Sequence, residues 1–355
     1  MFKTAIIGCG VIGPCHANAL KKTPSIQLGA VVDIVPERAE KMGRDYGVPW
    51  FTDFKKVLRR KDIDFVSICT PSGTHGDIAI AAARAGKHVI CEKPMDVTPQ
   101  RCDQMIAAFQ KSGTTYGGIF QHRFAADTRK ARAAVLAGRL GRMALASAAM
   151  PWWRTQEYYD SGDWRGTWKL DGGGCLMNQG VHGIDLLAWL AGPIKSITAR
   201  TALRCHERIE VEDVAIAVVE FQSGALGAIL GTTDAYPGGS CRHQFLGDNG
   251  SIMLKDDSVD FWKLRDEEQA VGGAAPAAAA AQPDSVGAAS DPAALAGDGH
   301  ALNIEDIASA AREGRQPILH AEEHKKAVEI ICAIYKSAQT GKTVQLPLKR
   351  FKPKA

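Results

Sequence analysis

A short apolar run, Thr4-Ala5-Ile6-Ile7, breaks into Gly8-Cys9-Gly10-Val11-Ile12-Gly13 and continues as a helical stretch to Lys22. No other feature restricts the fold so much. Between a strand and a helix, G-x-G-x-x-G supplies a tight turn at its first glycine, close backbone approach to a pyrophosphate at its second and close helix–strand packing at its third. The phosphates then lie over Val11 and Ile12 at the helix N-terminus. The motif alone is weak, so its sequel matters. A second strand over 29–32 ends at Asp33, about 20 residues further on. A carboxylate there accepts hydrogen bonds from the adenosine ribose hydroxyls and repels a 2'-phosphate, which favours NAD over NADP. Arg38 is near enough in sequence to keep NADP in play, but on a helix headed by Pro36 and Glu37 it reads as a solvated surface charge.

Strand and helix signals then alternate: helices over 36–46 and 54–59, a strand over 65–68, a helix over 76–85, a strand over 88–91, a helix over 99–111 and a strand over 115–120. Such alternation predicts an α/β domain of the Rossmann type over 1–123, a doubly wound parallel sheet. Ligands of such sheets lie beyond the carboxyl ends of the strands. Thr70-Pro71-Ser72, Glu92-Lys93-Pro94 and Gln121-His122-Arg123 are therefore expected to converge on one crevice, with Thr70, Pro71, Ser72, Glu92, Lys93 and Gln121 against the cofactor. For His75, contact with the cofactor and a capping or packing role both fit.

The texture changes near Phe124. A helix over 128–137 and a strand over 144–149 lead into PWWRTQEYYDSGDWRGTWKL, where Trp152, Trp153, Tyr158, Tyr159, Trp164 and Trp168 surround Arg154 and Arg165. Aromatic faces pack on the C–H faces of sugars and arginines bind hydroxyls or carboxylates, so the segment reads as a wall for a polar ring compound; an aromatic minicore under a long loop is the competing reading. It runs into DGGGCLMNQGVHGIDLLAWLAG, residues 171–192. Three glycines would let something approach a helix start, and Asn178, His182 and Asp185, spaced four and three apart, would share one face of that helix. Strands over 196–203, 214–221, 225–231, 243–246, 251–254 and 259–264 follow, joined by turn signals. They predict a second α+β domain over 124–355 with a large, mostly antiparallel open sheet, one face covering the site helix and the other free to pair with another subunit. Within it, 270–299 is low-complexity Ala/Gly/Pro and reads as a mobile loop, and helices over 302–312 and 322–338 close the chain.

Composition excludes several classes. A net charge of +4 on 355 residues offers no nucleic-acid or polybasic membrane surface. Nine scattered cysteines, odd in number and without a Cys-x-x-Cys pair, indicate neither a disulfide framework nor a metal site. No apolar run approaches the roughly 20 residues that span a bilayer, and the first ten residues already read as a strand rather than a leader, so a cytoplasmic protein is expected.

Taken together, GCGVIG, TPSGTH, CEKPMDVT, GGGCLMNQGVHGIDLLAWL and AIYKSAQTGKTVQLPL resemble the Gfo/Idh/MocA family, the glucose-fructose oxidoreductase and inositol dehydrogenase group. The resemblance covers nearly the whole chain. It implies NAD(P)-linked hydride transfer at a secondary hydroxyl of a sugar, sugar derivative or cyclitol, and a homodimer or homotetramer formed through the C-terminal sheet. It further implies Lys93 as the active-site lysine, a cis Lys93–Pro94 peptide and His182 as the catalytic histidine. Many relatives carry aspartate where this chain has Asn178, which orients a group but cannot exchange protons. Asn178, Lys93, Arg123 and Arg165 would leave the pocket electropositive, suited to a uronate or nucleotide-linked sugar, with Trp164 and Asp185 completing the substrate contacts. Two rival classes share the fold: a glycosidase that uses NAD transiently, and a non-catalytic NAD-binding regulator, which has no need of both Lys93 and His182.

Overall fold

The computed structural model describes residues 1–270, 298–348 and 350–353, so the low-complexity segment over 270–299 lies outside the described residues except at its ends. Strands β1 (Phe2–Ile7), β2 (Ile26–Val32), β3 (Trp50–Phe51), β4 (Phe65–Ile68), β5 (His88–Cys91) and β6 (Tyr116–Gly118) form a six-stranded sheet in the order β3-β2-β1-β4-β5-β6, every pairing parallel. Every residue of β4 and β5 except His88 is buried, as expected of strands covered on both faces. Helices α1 (Ile12–Leu20), α2 (Pro36–Tyr46), α3 (Phe54–Leu58), α4 (His75–Arg84) and α5 (Pro99–Ser112) fill the connections. Their ends follow local chemistry. Pro36 and Pro99 open α2 and α5, the Asp53 and Thr98 side chains cap α3 and α5, and Gly47 ends α2 in the left-handed conformation.

The last strand of this sheet is shorter than expected. Side chains on Gly117 and Gly118 would collide with Ile307 and with the His324 ring, so the two glycines exist to let later helices approach. Those helices are α10 (Gly299–Glu313) and α11 (Ala321–Thr340), preceded in the chain by α6 (Ala126–Leu136), α7 (Gln156–Asp160), α8 (Val181–Ala191) and α9 (Arg265–Ala270). Ala301, Ile304, Ile307 and Ala308 of α10 join one apolar cluster with Ile6, Ile26, Val31, Phe65 and Ile90. A chain expected to divide near residue 123 thus sends a late helix back to cover the first sheet, which needs apolar cover on both faces.

Strands β7 (Met143–Pro151), β8 (Ile194–Ala202), β9 (Val214–Phe221), β10 (Leu226–Thr232), β11 (Arg242–Gly247), β12 (Gly250–Lys255), β13 (Ser258–Leu264) and β14 (Val344–Gln345) build an eight-stranded sheet ordered β13-β12-β11-β7-β10-β9-β8-β14. All its pairings are antiparallel except β10 with β7. Burial alternates along β9 and β10: Ala215, Ala217 and Val219 point inward while Ile216 and Val218 stay 53% and 60% exposed. Register places Leu230 opposite Ile216, Ala228 opposite Val218 and Leu145 opposite Leu226, so the outer face carries a continuous apolar patch. Among the described residues no helix is long and apolar enough to cross a membrane, and all nine cysteines are free.

Candidate active site

A cavity of about 1880 Å³ opens beyond the carboxyl ends of the parallel strands, between the two sheets. Sites for one small molecule occupy roughly 300–1,000 Å³, so this one has room for two ligands end to end. The glycine loop forms one end, and its three glycines differ in what they face. A Cβ on Gly8 or Gly13 would be driven into main chain, that of Cys69 in the first case and the Gly8 carbonyl in the second, whereas one on Gly10 would meet nothing within 4 Å. Gly8 and Gly13 answer to internal packing. Gly10 faces open space at the cavity wall, which is what the cradle of a pyrophosphate requires. Val11 and Ile12 line the same end. Asp33 completes it: Oδ2 accepts the Cys9 N–H at 2.8 Å and Oδ1 the Val35 N–H at 2.9 Å, which fixes the carboxylate over the loop at the cavity wall. Arg38 is exposed but borders the cavity rim rather than pointing away from it.

Thr70, Pro71, Ser72, Glu92, Lys93 and Gln121 line the middle of the cavity, as the three converging loops require. His75 does not. It is fully buried, with Nδ1 2.9 Å from the Pro94 carbonyl oxygen and Nε2 2.8 Å from that of Thr70, so it braces two loops and is corrected from a cofactor contact to a support. The Lys93–Pro94 peptide is cis. Glu92 lies at the cavity wall, but its carboxylate is engaged from behind: Oε1 is 2.8 Å from His16 Nε2 and Oε2 accepts the Lys93 N–H at 3.0 Å. Burial alone would raise its pKa; hydrogen bonds from His16 and His300 hold it well below the usual carboxylate range.

Lys93 Nζ donates to the Asn178 main-chain oxygen at 3.1 Å and to Asn178 Oδ1 at 3.3 Å. Burial lowers the Lys93 pKa, with Arg165 and Arg154 adding to the effect and Glu92 and Asp171 opposing it. His182 lies against the same space, ringed edge-to-face by His122 at 4.7 Å and Phe120 at 5.6 Å between centroids. Burial first, then the neighbouring His122 and Lys93, pushes the His182 pKa well below the ordinary imidazole value, so the ring is neutral.

The helix that carries these residues differs from its expected form. Cys175–Gln179 form a π turn and α8 begins only at Val181, so Asn178 and His182 reach the cavity from two different turns. Asp185 does not reach it. Its carboxylate takes Arg123 Nε at 2.7 Å and Nη2 at 2.6 Å, both side chains are almost fully buried, and Glu323 adds a bond to Arg123 Nη1 at 3.2 Å. Arg123 and Asp185 are thus corrected from substrate contacts to a structural ion pair, because each neutralises the other away from the cavity. The glycines of 172–174 are likewise packed against protein: side chains there would strike Val97, the Tyr335 hydroxyl and the Glu212 carbonyl.

The aromatic segment divides. Trp152, Tyr158 and Trp164 line the cavity with Arg154 and Arg165, while Trp153 packs on Tyr236, Tyr159 on His206 and Trp168 on Tyr335. Wall and minicore are both present, interleaved along one segment. Arg165 lies 4.2 Å over the Tyr158 ring and 4.6 Å over Trp164, and its Nη1 donates to the Tyr158 hydroxyl at 2.5 Å. Arg154 and His122 were expected near the crevice without a role of their own, and Gln179 and Asp171 were not singled out from the sequence. Arg154 and Gln179 line the cavity, His122 stands beside His182 with its Nδ1 2.6 Å from Asp257 Oδ1, and Asp171 accepts the Asn178 amide at 2.9 Å. Arg154 and Gln179 sit in segments already marked by composition. Nothing local marks Asp171 or Asp257, whose roles depend on contacts made in the folded chain.

A parallel sheet in this order, an open glycine loop beneath the Asp33 carboxylate, and a lysine and a neutral histidine lining the same cavity are the arrangement of an NAD-dependent dehydrogenase. Two family models agree: the oxidoreductase family with an NAD-binding Rossmann fold over residues 2–119, and the GFO/IDH/MocA C-terminal domain over 128–253. The chain belongs to the Gfo/Idh/MocA oxidoreductase family. Among solved structures it is similar to the WlbA dehydrogenase of Bordetella pertussis in complex with NADH and UDP-GlcNAcA, with 30% identity over 98% of this chain and 99% of that one and a TM-score of 0.85. Among curated proteins it is similar to the NAD-linked scyllo-inositol 2-dehydrogenase of Bacillus subtilis, 26% identical over 98% and 97% of the two chains, and to the myo-inositol 2-dehydrogenase of Thermotoga maritima, 28% identical over 75% and 79%.

Proposed function

We propose that this enzyme oxidises a secondary hydroxyl of an anionic sugar, a uronate or a nucleotide-linked sugar, with NAD as the acceptor. The observation that carries the substrate class is the pair of guanidinium groups, Arg154 and Arg165, held against Trp152, Tyr158 and Trp164 on the cavity wall across from the cofactor end. Arginines fixed on aromatic faces present planar donors to a carboxylate or phosphate, and the rings present apolar area to a sugar face. Arg123, expected with Lys93 and Arg165 to make the pocket electropositive, is held by Asp185 outside the cavity, and Arg154 is the second guanidinium beside Arg165 on its wall. That a relative of 30% identity was solved with UDP-GlcNAcA supports the same class.

NAD, when bound, supplies the hydride acceptor. His182, neutral at ordinary pH, takes the hydroxyl proton. Lys93 keeps two N–H groups on Asn178 and turns the third to the substrate oxygen, stabilising the negative charge that develops there. Asn178 orients Lys93 and exchanges no proton. Because burial holds His182 low, the acid limb of kcat/KM for oxidation falls below about 6.5, the ordinary imidazole value.

The test is a panel of neutral glycosides, cyclitols, uronates and nucleotide sugars with NAD and with NADP, read as NADH or NADPH formation. Faster turnover of neutral glucosides or inositols than of uronates refutes the substrate class; glycoside cleavage without net NADH refutes the reaction. The apolar outer face of β9 and β10 supports a homodimer or homotetramer through that sheet, since monomers rarely leave such a patch in water. Sedimentation of Val218→Glu as a smaller species than the parent is the expected result, and an unchanged size refutes it. Free thiols throughout support a reducing, cytoplasmic setting.

A further inference from the structure

Asp171 stands behind the catalytic lysine at one remove. It is 2% exposed; Oδ1 accepts the Asn178 Nδ2–H at 2.9 Å and Oδ2 the Gly166 N–H at 2.9 Å. An amide has two ends, and the carboxylate decides which faces where. With Nδ2 committed to Asp171, the Asn178 Oδ1 is left for Lys93 Nζ at 3.3 Å. We propose that Asp171 is a positioning residue for Lys93, its carboxylate fixing the orientation of the Asn178 amide so that the lysine keeps an acceptor and its remaining N–H is aimed at the substrate oxygen. This carboxylate lies seven residues upstream of Asn178 and reaches the lysine through that amide. This rests on the reading of Lys93 as the group that binds the reacting oxygen.

Electrostatics agree with the geometry. The charged groups felt at Lys93 are Glu92 and Asp171, which favour its ammonium form, and Arg165 and Arg154, which oppose it. Glu92 is held between His16 and His300 on the cofactor side, so Asp171 is the carboxylate on the substrate side. Burial pushes Asp171 up to about 6, against the hydrogen bonds from Gly166 and Asn178 and the charges of Lys93 and Arg165. Below that value the group gains a proton, ceases to demand a donor, and loses its hold on the amide.

The isosteric change Asp171→Asn isolates the effect. The oxygen of the introduced amide would keep the Gly166 N–H, so its NH2 would face Asn178, which must then flip and present its own NH2 to Lys93, donor against donor. Adding Asn178→Asp reverses the polarity: the carboxylate introduced on the site turn would accept both from the amide now at position 171 and from Lys93. The measurement is the titration of Lys93 in NADH-bound protein without substrate, followed by 13Cε-lysine NMR and assigned by the signal lost in Lys93→Arg. Asp171→Asn is expected to lower the Lys93 midpoint by roughly one pH unit and the rate of sugar oxidation by roughly ten- to a hundredfold, with NADH affinity unchanged. The double exchange is expected to restore the midpoint to the parent value or above it, and to recover part of kcat. A Lys93 midpoint that is the same in Asp171→Asn as in the parent, or that stays depressed in the double variant, overturns the proposal. If Asp171→Asn does not fold, the double variant decides alone, since it keeps one carboxylate and one amide on the same two sites. Because the NMR readout needs no substrate, failure of the sugar panel leaves it standing.

Discussion

Alanine placed in turn at Gly10 and at Gly13 separates cofactor contact from internal packing within one hexapeptide. At Gly13 the new Cβ would sit well inside 3.0 Å of the Gly8 carbonyl oxygen, and because the obstacle is main chain, helix α1 must move away from the loop. Overpacking of this kind costs about 1–3 kcal/mol. At Gly10 the Cβ meets no protein atom within 4 Å, so the fold has nothing to lose. What it blocks is approach of the pyrophosphate to bare backbone. Loss of one charge-assisted hydrogen bond is about 1.5–3 kcal/mol, or about ten- to a hundredfold in Kd for NADH. Urea midpoints report the first cost and calorimetric titration with NADH the second. The expected pattern is Gly13→Ala destabilised and Gly10→Ala as stable as the parent but weak in NADH. A Gly10→Ala protein that binds NADH with parent affinity would show that the open space at Gly10 is not the phosphate cradle.

Three further outcomes follow from the same structure. Asp33→Ala removes the carboxylate proposed to accept the ribose hydroxyls and the partner of the Cys9 and Val35 N–H groups; NADH affinity should fall about tenfold or more while discrimination against NADPH narrows, and titrations in which the NADH to NADPH ratio does not move would count against Asp33 as the selector. Asp185→Ala strands the Arg123 guanidinium with Glu323 alone and should cost about 3–5 kcal/mol in urea unfolding without changing NADH affinity; a stable variant with altered substrate KM would return Asp185 to the substrate site. His324, which shares a 2.8 Å hydrogen bond with the Tyr116 hydroxyl, is pushed down to about 3 by burial. In the unfolded chain it takes a proton near 6.5, so its contribution is complete above that pH and drains as pH falls toward 3, by up to about 1.4 kcal/mol per pH unit. His324→Phe should flatten that acid loss, and urea midpoints with the same pH slope as the parent would refute it.

How far the sequence could be read depended on how local each constraint was. The pairing of GCGVIG with Asp33 lies within one strand–helix–strand unit, so local spacing places both at one end of a cavity. The loops at Thr70, Glu92 and Gln121 follow from topology, because a parallel sheet brings every such turn to one edge. Asp185 failed for the opposite reason. Periodicity gave it the face of His182, and both do lie on α8, but Arg123, sixty-two residues earlier, is its partner and keeps it from the cavity.

The sequence alone determined the parallel sheet and the alternating second sheet, and it marked Asp33, Lys93 and His182, all of which line the cavity; the sheets and Asp33 follow from residues near one another in the chain, whereas Lys93 and His182 were singled out by the motifs that carry the family resemblance. Tertiary structure decided the rest. It spent Arg123 and His75 on support, split the aromatic segment into wall and core, sent α10 back to the first sheet, and set Asp171 behind Asn178. The physical reason is common to all of these: a buried charge or ring takes whichever partner the packed fold brings within about 3 Å, and sequence spacing carries no record of which contacts the packed chain will make.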